Sequence, residues 1–91
     1  MAFTYVLRSK RTGGLYTGAT TDLDRRISQH NSDFSRSTKN RGPWFLVHKE
    51  EFASLAEAYR REGFLKTGRG RDELRRILAE ADLSVDGTAV S

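Results

Sequence analysis

The sequence predicts an α+β fold, α/β in the broad sense, with elements in the order β-β-α-β-α-α. Three observations predict it. Two short runs rich in aromatic and β-branched residues are separated by KRTGG (10–14), a connection suited to a hairpin. TDLD (21–24) and SLAE (54–57) both read as helix-opening capping boxes, each followed by apolar residues at helical spacing. Between the two helices lies WFLVHKEEF (44–52), a strand that opens on four consecutive apolar residues.

Each element has a local reason. FTYVLRS (3–9) forms the first strand and LYTGAT (15–20) the second. Thr21 is the expected N-cap of the first helix, with Asp24 three residues on. Leu23 and Ile27 form its buried stripe, and Asn31 is an acceptable C-cap. NSDFSRSTKNRGP (31–43) is a polar loop with cations at Arg36, Lys39 and Arg41. The third strand starts at Trp44, and its WFLV run suits burial on both faces. Ser54 caps a second helix that runs to about residue 67. GRG (68–70) should break it. A third helix is expected over 71–81, with Leu74, Ile77, Leu78 and Ala81 in register. Residues 82–91 lack periodicity and read as a disordered C-terminal tail, leaving one domain over 1–81.

Composition narrows the function. Ninety-one residues allow one small core. The absence of cysteine excludes disulfides, thiolate catalysis and cysteine-based zinc sites, and fits a reducing cytoplasm. The N-terminus turns charged after seven residues and no stretch approaches transmembrane length, so a cytoplasmic protein without a membrane role is expected. A net charge of +4 and a pI near 9.9 suit a polyanionic partner, whose counterions are released on binding.

Some residues sit badly in a plain core. Leu55, Ala58, Tyr59 and Leu65 make one stripe of the second helix, and Glu62 falls in its middle. A carboxylate there must be paired, hydrogen-bonded or metal-bound; viewed alone, a structural salt bridge is the simpler account. Arg60 and Arg61 lie on the flank or back of the same wheel and suggest only solvation. Arg26 and His30 are one turn apart, roughly 6 Å along the axis, and border the buried stripe of the first helix. Gly18 interrupts a strand on the face that carries Tyr16, marking a close approach or a bulge. Two phenols, a guanidinium, an imidazole and a carboxylate are what phosphodiester hydrolysis uses. A base takes a proton from water, a cation steadies the phosphate, and a carboxylate can hold a metal.

TYV (4–6), YTG (16–18), Arg26, His30 and the Glu62 of RREGFLK resemble, in order and spacing, the GIY-YIG nuclease superfamily. The likeness spans residues 3–78. It is strongest to small stand-alone bacterial members, in which LYTGxTTDLxRRxxxHN and RGPWxLV recur. The resemblance implies a three-stranded antiparallel sheet flanked by helices. It implies that Tyr16 takes the proton of the attacking water with Tyr5 assisting, and that Arg26 binds the scissile phosphate. His30 would share proton transfer or contact phosphate. Glu62 would hold one divalent metal, Mg²⁺ or Mn²⁺, and Gly18 would admit the substrate to the backbone. Three features depart from the pattern: the first motif reads TYV, without its leading glycine, Thr17 sits inside the second, and Ala19 stands where DNA-repair relatives carry lysine.

The expected function is a metal-dependent endonuclease cutting DNA, at branched or damaged structure, with repair or recombination as the process it would serve. RNA is the alternative substrate. Gly18, Arg36, Lys39 and Arg41 are the expected substrate contacts. The competing reading is a nucleic-acid-binding module with vestigial chemistry. A pure binder, however, has no use for a carboxylate that repels phosphate.

Overall fold

The computed structural model describes residues 1–32 and 41–90, and from residue 82 onward the backbone path alone. Its elements are β1 (Ala2–Ser9), β2 (Leu15–Thr20), α1 (Leu23–Asn31), β3 (Trp44–Phe52), α2 (Leu55–Leu65) and α3 (Gly68–Val90). The order is the expected β-β-α-β-α-α.

The three strands form one antiparallel sheet in the order β2-β1-β3. Lys10–Gly14 closes the hairpin, with Gly13 at a φ of 76°, a conformation that favours glycine. Ser9 organises the turn, its hydroxyl oxygen accepting from the backbone N–H of Arg11 and Thr12. In the hairpin, Tyr5 faces Gly18 and Leu7 faces Tyr16, so these four residues share one side of the sheet.

The central strand separates two small cores. Val6 packs with Leu65, Leu74 and Leu78 under α2 and α3. Tyr5, Leu7 and Trp44 pack with Tyr16, Leu23 and Ile27 under α1. Burial on both faces therefore belongs to β1 and not to the WFLV run of β3. Trp44 is buried, but Phe45 and Leu46 are 38% and 37% exposed. The reason is position: β3 is an edge strand. Its register also slips between Val6 and Leu7, which pair with His48 and Leu46, so Val47 is an extra residue that breaks strict alternation.

The helix ends refine the expected boundaries. Asp22, not Thr21, caps α1, its carboxylate accepting from the Arg25 N–H at 3.2 Å. Asn31 is the last residue of α1 and Ser32 is the C-cap. Ser54 caps α2 as expected. α2 stops at Leu65, two residues early. GRG does not break a helix but makes the first turn of α3, whose start is held by Thr67: its hydroxyl accepts from Gly70 N–H and its carbonyl from Arg71 N–H. A Cβ on Gly70 would collide with the backbone of Phe64 and Leu65, so this glycine lets α2 and α3 meet closely. The α3 backbone stays helical past Ala81, where a tail was expected, as far as Val90.

On α2 the buried stripe is narrower than expected. Ala58 and Leu65 are buried, whereas Tyr59 is 54% exposed. Arg61 is not a solvated flank residue. It pairs with Glu50 of β3 at 2.9 Å and Glu73 of α3 at 3.0 Å, and Glu50 also takes His48 at 2.8 Å. Burial works against ionised Glu50, but hydrogen bonds from Arg61 and His48 win and hold its pKa below the usual range. On the inner side of α2, the Thr4 hydroxyl donates to the Ala58 carbonyl at 2.7 Å. Thr4 thus ties the central strand to the helix of Glu62.

Candidate active site

Four of the expected residues meet on the α1 face of the sheet. Tyr5 comes from the middle of β1, Tyr16 from β2, and Arg26 and His30 from successive turns of α1. Ring centroids lie 6.3 Å apart for Tyr5–Tyr16, 5.9 Å for Tyr5–His30 and 4.6 Å for Tyr16–His30. The hairpin register sets Tyr5 diagonal to Tyr16, and the one-turn spacing on α1 stacks Arg26 and His30 against them.

Tyr5 is fully buried. Its hydroxyl lies 2.9 Å from His30 Nε2. Burial, then the neighbouring Tyr16, push the Tyr5 pKa up to about 12, and the charge of Glu62 adds to the rise. Burial, then the Arg26 charge, push His30 down to about 4. At neutral pH both groups are uncharged. The Tyr5 O–H therefore donates to His30 Nε2, and that tautomer carries its proton on Nδ1.

Arg26 bridges the cluster. Burial favours its neutral form, but hydrogen bonds to Tyr5 and Tyr16 outweigh it, raise its pKa and hold the guanidinium charged. Its Nη1 donates to Gln29 Oε1 at 2.9 Å, one turn on. Tyr16 is half-buried, the more open of the two phenols. Trp44 closes one side, 6.4 Å from the Tyr16 ring in an edge-on arrangement.

Gly18 lies behind the cluster. A Cβ there would sit 2.5 Å from the Tyr5 hydroxyl oxygen and 3.0 Å from the Tyr16 ring. Its missing side chain makes room for a phenol of the protein itself. Glu62 is half-buried on α2, near enough for its charge to act on Tyr5. Its Oε2 accepts from Lys66 Nζ at 2.9 Å, an i,i+4 pair whose lysine is half exposed. Such a pair contributes about 1 kcal/mol at most, so it holds the carboxylate only loosely. Arg41 stands before β3, its carbonyl accepting from the Ser9 hydroxyl. Arg36 and Lys39 lie outside the described residues.

Sequence reasoning missed two supports. Asn31 grips the backbone of Trp44 at both ends, accepting from its N–H at 2.6 Å and donating to its carbonyl at 3.0 Å. The end of α1, and with it His30, is thereby fixed to the start of β3. Gln29 orients Arg26. Its i,i+3 spacing was visible; the reach of Asn31 across thirteen positions was not.

A family model described as the GIY-YIG catalytic domain matches residues 1–75. The chain belongs to the GIY-YIG family. Similar members bear the name UPF0213 protein. One from Staphylococcus haemolyticus is 40% identical over 82% of this chain and 92% of its own length. One from Halobacterium salinarum is 47% identical over 59% of this chain and 71% of its own length. The solution structure of the UPF0213 protein from Bacillus halodurans is 40% identical, covers 85% of each chain and superposes with a TM-score of 0.51. These names state no activity. The GIY-YIG match itself makes this a nuclease-type catalytic domain, whose substrate is nucleic acid. No helix among the described residues is long and apolar enough to cross a membrane.

Proposed function

We propose that this GIY-YIG protein is a metal-dependent endonuclease that hydrolyses phosphodiester bonds in DNA. One observation carries the reading: two phenols, a fixed cation and a neutral imidazole converge on one point of the sheet, with a carboxylate in electrostatic reach.

The roles follow from the environments. Arg26, held charged against Tyr5 and Tyr16, meets the negative charge that grows on the phosphate in the transition state. Tyr16 is the open phenol and is placed to take the proton of the attacking water. The water oxygen bonds to phosphorus as Tyr16 accepts its proton and hands its own phenolic proton to solvent. The bond to the leaving oxygen breaks, and that oxygen takes a proton from solvent. Tyr5 keeps its proton, which it lends to His30, and so fixes the imidazole beside Tyr16. Tyr5 and His30 are positioning residues in this scheme.

Glu62 is the residue to hold a divalent cation. Among the described residues no group of three or more His, Asp or Glu gathers round one point. A single carboxylate completed by water and substrate phosphate suits Mg²⁺, which keeps much of its hydration shell, and Mn²⁺ in its place. When bound, the cation supplies Lewis acidity at the phosphate and the leaving oxygen. The Lys66–Glu62 pair favours the competing reading, a non-catalytic binder, because it satisfies the carboxylate without metal.

Labelled duplex, single-stranded and branched DNA, each incubated with Mg²⁺, Mn²⁺ or EDTA, separates the two. The endonuclease cuts with either metal and not with EDTA. Binding without cleavage of any substrate establishes the binder. Preferential cutting of the branched substrate would place the activity in repair or recombination. Arg26→Ala should slow single-turnover cleavage by about two to three orders of magnitude, as for loss of one charge-stabilising donor.

A further inference from the structure

A groove of roughly 480 Å³ runs between β2 and the start of α3. Its floor is Thr17, Leu65 and Leu74, and Lys66, Arg71 and Arg75 line it as well. Thr17, Leu65 and Leu74 lie on the α2–α3 face and the Tyr5–His30 cluster on the α1 face. The groove therefore approaches the proposed active site round the β2 edge, at Tyr16, and through Lys66, the partner of Glu62. Among the described residues, no acidic one lines it.

The cations are placed against the interest of the helix. The first turn of α3 carries no acid, and Arg69 and Arg71 lie where the helix dipole is already positive. A stable start would carry Asp or Glu there, so the arrangement stabilises something other than the helix. Its cations are also available. Arg71 has no ion pair among the described residues. Lys66 and Arg75 pair with Glu62 and Asp72, but their side chains are 52% and 76% exposed, so both can exchange partners at little cost.

We propose that this groove binds the sugar–phosphate backbone of the DNA strand beside the bond to be cut, with Lys66, Arg71 and Arg75 as its phosphate contacts. The proposal rests on the endonuclease reading for the position of the cut. Lys66 links the two sites: in turning to phosphate it releases Glu62.

The test is binding of fluorescein-labelled DNA, duplex and single-stranded, followed by anisotropy in EDTA across a salt series. Arg71→Ala/Arg75→Ala should weaken binding at least tenfold at low salt. It should also flatten the slope of log K against log salt by about 2 units on duplex, from roughly −0.9 per phosphate contact. The charge-matched Lys49→Ala/Arg60→Ala, from β3 and the outer side of α2, should leave both unchanged. Arg71→Asp should raise the melting temperature while weakening binding, since it corrects the helix and ruins the groove. A double variant that keeps wild-type affinity and slope overturns the groove and leaves the endonuclease standing. So does an equal loss in the charge-matched control. A wild-type protein that binds neither DNA overturns both.

Discussion

At the scale of single residues, the cluster is built from groups held away from their solution behaviour. Gly18 shows how tight it is. Its φ lies outside the left-handed region, so Gly18→Ala costs nothing in backbone strain; the cost is steric, a methyl 2.5 Å from the buried Tyr5 oxygen. The variant should lose about 1–3 kcal/mol in urea unfolding, as for an overpacked core, and most of its cleavage. His30 makes stability depend on pH. Its folded pKa, about 4, lies below the 6.5 of the unfolded chain, so the unfolded state binds more protons between these values. Stability therefore falls as pH drops from 6.5 toward 4, by about 2 kcal/mol at pH 5 if His30 alone is counted. His30→Gln retains an acceptor for Tyr5 and should flatten that part of the profile. An equal acid sensitivity in the variant would assign the effect to other groups.

At the scale of elements, two devices hold α2 where Glu62 can serve the site. Thr4 bonds its inner side to the central strand, and Arg61 ties its outer side to β3 and α3. The Arg61 side chain is only 22% exposed, and removing it leaves Glu50, at 23% exposure, with His48 alone. Arg61→Ala should destabilise the protein by about 1–2 kcal/mol at pH 7, less than for a fully buried pair because water still reaches the ions. The folded pKa of Glu50 is lowered, so the pair stabilises above its unfolded value near 4.5 and is lost as pH falls below it. Chemical denaturation of both proteins at pH 7 and at pH 3 should show the gap closing in acid.

At the scale of the whole molecule, the sheet separates two tasks. The α1 face gathers the proposed chemistry, and the other face carries the cationic groove along the β2 edge. With a net charge of +4, association with DNA should weaken steeply as salt rises. Changing Arg36, Lys39 and Arg41 together to Ala should reduce the salt slope by about two to three units if the loop tracks the backbone. Fluorescence anisotropy over a salt series measures it. An unchanged slope would shift the backbone contacts to the groove along β2.

Much of this was legible in the chain itself. Strands 3–9, 15–20 and 44–52, the cap at Ser54 and the order of elements are local properties: hydrophobic period, turn chemistry and caps act over a few residues. The candidate set was legible too, because Tyr5, Tyr16, Arg26, His30 and Glu62 keep a family's spacing. Tertiary structure decided the rest. It made β3 an edge, which exposes Phe45 and Leu46 despite an unbroken apolar run. It gave Gly18 its meaning, since the space a Cβ would fill is claimed by a tyrosine thirteen positions earlier and one strand away. It turned Arg61 from a solvated flank into the partner of Glu50 and Glu73. It set Thr4 against Ala58, 54 positions apart. Such contacts join residues that share no local window, and their energies exist only once the sheet register and the crossing of α2 bring the partners together.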